Sequence, residues 1–115
     1  MAGEYIQLTD AMCLPTPLRP PRIVVGVGGS HRLIRSAVTY ADEINVYADD
    51  RVIAAASEAI GASGRAVDLS VYVWDWPEQL DDRLAAWSRM GVDRVFLTVW
   101  PPYDSITDVA ARAGR

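Results

Sequence analysis

The stretch Gly26-Val27-Gly28-Gly29-Ser30-His31 lies between a β-branched run and the first residues of a helical pattern. Exposed backbone N–H groups at such a junction, with the positive end of a helix dipole behind them, suit a phosphate. The same glycines also suit a tight turn that needs them only for its backbone angles, and both readings stand at this point. The dinucleotide fingerprint is not met, because its third glycine would fall at His31. His31 can hydrogen-bond a ligand phosphate from the first helical turn or remain a plain surface histidine.

Asn45, Ser70 and Thr98 are polar residues inside apolar runs, and each needs a partner if buried, whether a ligand or a neighbouring side chain. The pairs Asp49-Asp50 and Asp81-Asp82 read as helix starts and a solvated helix face rather than as metal ligands. Trp74, Trp76, Trp100 and Tyr103 gather after the third and fourth runs, the end where α/β proteins bind ligands. Aromatics there cover a planar ring or fill an interface.

Composition narrows the chemistry. The chain has 115 residues with a net charge of −4, so attraction to nucleic acid or to an anionic membrane surface is not expected. All 11 basic residues are Arg, which removes lysine Schiff bases and lysine-dependent phosphate loops. A single His and a single Cys exclude a zinc site built from those residues and an intramolecular disulfide. A reducing cytoplasm is the compartment expected, since MAGEYIQLTD has no apolar signal region and no run is long enough for a membrane span.

The elements that position these residues repeat one unit. Residues 1–21 form a proline-rich arm, with a short strand at Tyr5 to Leu8 and Pro15, Pro17, Pro20 and Pro21 beyond it. Residues 22–115 then read as strand followed by helix, four times. The strands are Ile23 to Val25, Ile44 to Tyr47, Leu69 to Trp74 and Val95 to Trp100. Ser30, Asp49 or Asp50, and Ser105 in a capping box with Asp108 open three of the helices, and Pro77 suits the first turn of the other. Gly61, Gly64 and Gly91 supply helix stops. Consecutive Val, Ile and Leu in each strand ask for burial on both faces, the pattern of a parallel sheet in an α/β fold. A complete eight-fold βα barrel takes at least roughly 200 residues and is ruled out for this length.

Several segments, in order, resemble the carboxy-terminal part of the bacterial luciferase-like monooxygenases, the flavin- and deazaflavin-dependent enzymes built on an eight-fold βα barrel. They are Cys13-Leu14-Pro15-Thr16-Pro17, Pro20-Pro21-Arg22-Ile23-Val24-Val25-Gly26, Gly28-Gly29, Tyr40-Ala41-Asp42-Glu43-Ile44-Asn45 and Gly91-Val92-Asp93-Arg94-Val95-Phe96-Leu97. The resemblance implies FMN or a deazaflavin as cofactor, with Gly28, Gly29 and Ser30 near its phosphate. Gly26, His31 and Asn45 complete the cofactor-binding candidates. The family's amino-terminal half has no counterpart in these segments, so no catalytic residue carries over.

The expectation is thus an α/β fold of four βα units forming half of a TIM-type barrel, working as a homodimer. Its function would be that of a flavin oxidoreductase relative with little or no turnover alone. The alternative is a non-catalytic ligand-binding or structural homodimer. A third arrangement is a small open sheet of nucleotide-binding type, with Asp49 or Asp50 holding a ribose hydroxyl.

Overall fold

The computed structural model describes residues 18–101 together with 106, 107 and 111. Seven elements follow in order: β1 (Val24–Gly28), α1 (His31–Ala37), β2 (Glu43–Tyr47), α2 (Asp50–Ser63), β3 (Asp68–Val73), α3 (Leu80–Arg89) and β4 (Arg94–Leu97). All pairings are parallel and the strand order is β1-β2-β3-β4.

Local chemistry explains most of the boundaries. Ser30 caps α1 by accepting from the Leu33 amide, and Asp49 caps α2 by accepting from the Arg51 and Val52 amides. α2 runs through Gly61 and stops at Gly64, which takes the left-handed conformation at φ 69°. Pro77 lies ahead of α3 rather than in its first turn, because Gln79 at φ 56° breaks the helical run and the helix starts at Leu80. β3 and β4 end at Val73 and Leu97, so Trp74, Thr98 and Trp100 belong to the loops that follow them.

One core holds the layers together. Ile34, Ala37 and Val38 from the first helical segment, Ile53 and Ala56 from α2 and Trp87 from α3 pack with Val27, Ile44, Val46, Leu69, Val71 and Val73. Because side chains alternate along a strand, these contacts place the three helices on one face of the sheet. Glu43, Asn45, Tyr47, Ser70, Tyr72, Arg94 and Phe96 lie on the other face, which no described helix covers.

Among the described residues the half-barrel expectation is corrected to an open, four-stranded parallel sheet with the three helices α1 to α3. Among them the sheet is not closed, and β1 and β4 form its two edges. Strand and helix alternate in the same order in barrels and in open sheets, so alternation alone does not tell them apart. The doubly wound alternative also falls, because the order has no reversal and hence no switch point. The arm through Pro17, its strand at Tyr5 to Leu8 and the Ser105–Asp108 capping box lie outside the described residues. Among the described residues no helix is long and apolar enough to cross a membrane.

Candidate functional site

The helix-free face is built in rows set by strand register. At its lower end Glu43 stands beside Val24 and Asp68. Glu43 is fully buried, and its Oε1 accepts from Arg22 Nη2 at 2.9 Å, with Arg94 Nη2 at 3.5 Å. Arg22 also pairs with Asp68, and these two bonds, that to Glu43 first, raise the guanidinium above its ordinary pKa. Glu43 Oε2 has no hydrogen-bond partner.

The middle row is Gly26, Asn45 and Ser70. Asn45 Nδ2 donates to Ser70 Oγ at 2.9 Å, and Ser70 Oγ donates to the Ile44 carbonyl at 3.3 Å. Each of these two polar residues therefore finds a partner within the sheet, Asn45 in Ser70 and Ser70 also in the Ile44 carbonyl. A Cβ added at Gly26 would meet nothing within 4 Å, so the position leaves an open recess beside Asn45.

The upper row is aromatic: Tyr47, Tyr72 and Phe96 stand side by side on β2, β3 and β4. Tyr47 is 61% exposed and Phe96 43%. Beyond them Trp74 and Trp100 meet edge to face, with ring centroids 4.8 Å apart, and Tyr72 lies 5.9 Å from Trp74. The loops carrying these rings are tied down. Thr98 Oγ1 donates to Tyr72 Oη, Trp76 Nε1 to the Thr98 carbonyl and Trp100 Nε1 to the Trp74 carbonyl.

The glycine loop divides between two sides of the sheet. Gly28 has φ +58°, and a Cβ there would come within 3.0 Å of the Tyr47 ring, so glycine serves both the turn and the close approach. The Ser30 hydroxyl is occupied as the cap of α1, a helix of seven residues, and the Ser30 amide donates to the Val27 carbonyl. Here the turn reading accounts for both residues. His31 begins α1 on the helix side and lines an outer cleft with Arg35 and Thr39. Of the six cofactor candidates, Gly26 and Asn45 share the helix-free face, Gly28 and Gly29 lie at its top edge against Tyr47, and Ser30 and His31 lead away from it.

The acidic pairs sit at helix starts. Asp49 is the cap of α2, while Asp50 accepts from Arg83 Nη2 at 2.5 Å and from Trp87 Nε1 at 3.3 Å. The Arg83 bond, then the Trp87 bond, hold the Asp50 carboxyl below the usual carboxylate range. Asp81 and Asp82 occupy the first turn of α3. Among the described residues no three His, Cys, Asp or Glu side chains are grouped to hold a metal ion.

Sequence reasoning did not single out Tyr47, Tyr72, Phe96, Glu43, Arg22 or Arg94 as site residues. Their signal is period-two spacing: Glu43, Asn45 and Tyr47 alternate with Ile44 and Val46, and Tyr72 with Val71 and Val73. No family model matches the chain, and no curated protein or solved structure is similar enough to match it.

Proposed function

We propose that the helix-free face binds a planar ring ligand, with the ring over the Gly26 recess and against Tyr47 and Tyr72. One observation carries this reading: an open recess at Gly26 lies next to a row of exposed aromatic side chains at the carboxyl ends of parallel strands. Two residues of strand, about 6.6 Å, separate the rows, and one strand spacing, about 4.8 Å, separates Gly26 from the strand of Tyr47, so a fused ring over the recess reaches Tyr47 and, beside it, Tyr72. Exposed aromatics of this kind gain from offset stacking as well as from burial.

The family resemblance names the ring as FMN or a deazaflavin. The residues present fit such a group in shape: Gly26 gives room, Tyr47 and Tyr72 give flanking aromatic surface, and Asn45 stands at the edge of the recess. Bound, the group would supply hydride or electron transfer. The chain's own part is to bind and orient the ring and to exclude water from one side of it. His31 leads away on the helix side, and Glu43, one row below the recess, is held by Arg22 and Arg94, so neither is placed for proton transfer at the ring. The chain alone is thus a binding scaffold with little or no monooxygenase turnover, and a reducing cytoplasm is its assigned compartment.

A second reading, a homodimer through the same face, is favoured by the charges below the rings. Arg22 and Arg94 flank Glu43 and Asp68, a mixed-charge pattern that can pair with its own copy across a two-fold axis.

The test is to titrate FMN and follow tryptophan fluorescence, which Trp74 and Trp100 would report. Wild type should quench saturably. Gly26→Val fills the recess without a steric clash and should weaken binding at least tenfold with an unchanged thermal melt. Absence of saturable quenching overturns the ring reading. With reduced FMN, oxygen and a panel of aldehydes, product formation should equal that of a protein-free control.

A further inference from the structure

We infer that the cleft between α1 and α2 is a separate binding site for an amphipathic monocarboxylate, its apolar tail in the cleft and its carboxylate on Arg35 and His31. The cleft has a volume of about 730 Å³ and lies in the helix layer, on the side of the sheet away from the aromatic face. This volume is within the range of small-molecule sites.

The cleft follows from residue size. α2 turns Ala55, Ala59 and Ala62 toward it, while α1 and the residue after it contribute Ile34 and Val38, both buried. Alanines at spacings of four and three along one helical face leave the groove between the helices unfilled. The wall is apolar and the ends are polar.

Charge selects the ligand class. His31 and Arg35 stand one helical turn apart on the rim, and Arg65 closes the far end. Arg65 is held in place, its Nη1 donating to the Val38 and Ala41 carbonyls at 2.8 and 3.0 Å. The Arg35 side chain makes no hydrogen bond or ion pair among the described residues, so its guanidinium is available for a carboxylate. Glu58 is the only acid lining the cleft. Two arginines against one glutamate make this rim cationic in a chain whose net charge is −4, and His31 adds a ring nitrogen that can donate a hydrogen bond. An anion with an apolar tail matches both parts, and a cation with the same tail matches only one.

The experiment uses decanoate, decylammonium and decanol below their micelle concentrations, with methyl NMR of the full chain. Decanoate should shift Ile34, Ala55 and Ala59 saturably and bind at least tenfold more tightly than decylammonium. Arg35→Gln should reduce decanoate affinity about tenfold and bring it close to that of decanol. Ala59→Leu should fill the cleft and abolish the shifts; if that variant does not fold, Ala62→Leu at the exposed rim serves the same purpose. Decanoate binding should be unchanged in Gly26→Val, so it stands or falls apart from the ring site. No saturable shift, equal binding of decylammonium, or indifference to Arg35→Gln overturns the proposal.

Discussion

Glu43 is a carboxylate with no exposed surface and one oxygen without a donor, held by guanidiniums that are themselves about half exposed. Burial of a charge is costly, and the ion pairs offset that cost only where geometry and remaining hydrogen bonds are complete. Here they are not. Glu43→Met leaves no buried charge behind, because Arg22 keeps Asp68 and Arg94 can hydrate. It should therefore keep or raise stability, by up to roughly 4 kcal/mol. A urea midpoint corresponding to a loss of more than about 2 kcal/mol would show that the carboxylate organises the sheet. The two nearby glycines should behave differently from each other. Gly28→Ala meets a left-handed backbone and the Tyr47 ring and should cost about 1–3 kcal/mol, whereas Gly26→Ala should stay within about 1 kcal/mol. A double-mutant cycle with Tyr47→Ala divides the Gly28 penalty into ring overlap and backbone strain. Only part of this was legible beforehand. The glycines could be read as a loop, but which of them lies under a ring depends on Tyr47, far along the chain on the next strand.

The helices are joined as well as packed. Asp50, in the first turn of α2, accepts from Arg83 and Trp87 of α3, and Arg83 also lies 5.2 Å from the centre of the Trp87 ring. Because the folded state holds the Asp50 carboxyl below its ordinary value, its contribution is present above the unfolded pKa of about 3.9 and is lost as pH falls through the folded one. Asp50→Asn keeps an acceptor for Trp87 and removes the charge. Wild type should thus exceed the variant in thermal stability near pH 6, with the gap closing in acid and narrowing in high salt. A gap that grows as pH falls would contradict this account. At this scale the sequence carried more: β-branched runs marked the strands, and Ser30, Asp49 and Gly64 marked helix ends by their capping chemistry. Curl was not legible. Whether four strands curl into part of a barrel or stay an open sheet depends on tilt and stagger between strands, quantities that no local residue pattern contains. The aromatic row escaped for a related reason, since a strand of four or five residues gives each face only two or three positions and reads as a plain apolar run.

In the whole molecule, the face without helices leaves Val24, Tyr47, Trp74, Phe96 and Trp100 substantially exposed, a larger apolar surface than scattered residues would explain. Pairing between sheet edges is a poor way to cover it. β1 carries an irregular register between Gly26 and Gly28 and follows Pro20 and Pro21, and β4 has only four residues, features that blunt an edge. A ring ligand and a second copy seated on the face would contact the same side chains. They exclude one another, so binding of one should displace the other by mass action. Light scattering on the chain at tens of micromolar should give the mass of two chains, falling toward one as FMN is added. Phe96→Glu places a charge in the row and should give a single chain with or without FMN. A dimer indifferent to saturating FMN would assign the face to the second copy and end the ring reading. One chain at all concentrations would end the homodimer reading, and the FMN titration of that species would then measure the ring site directly.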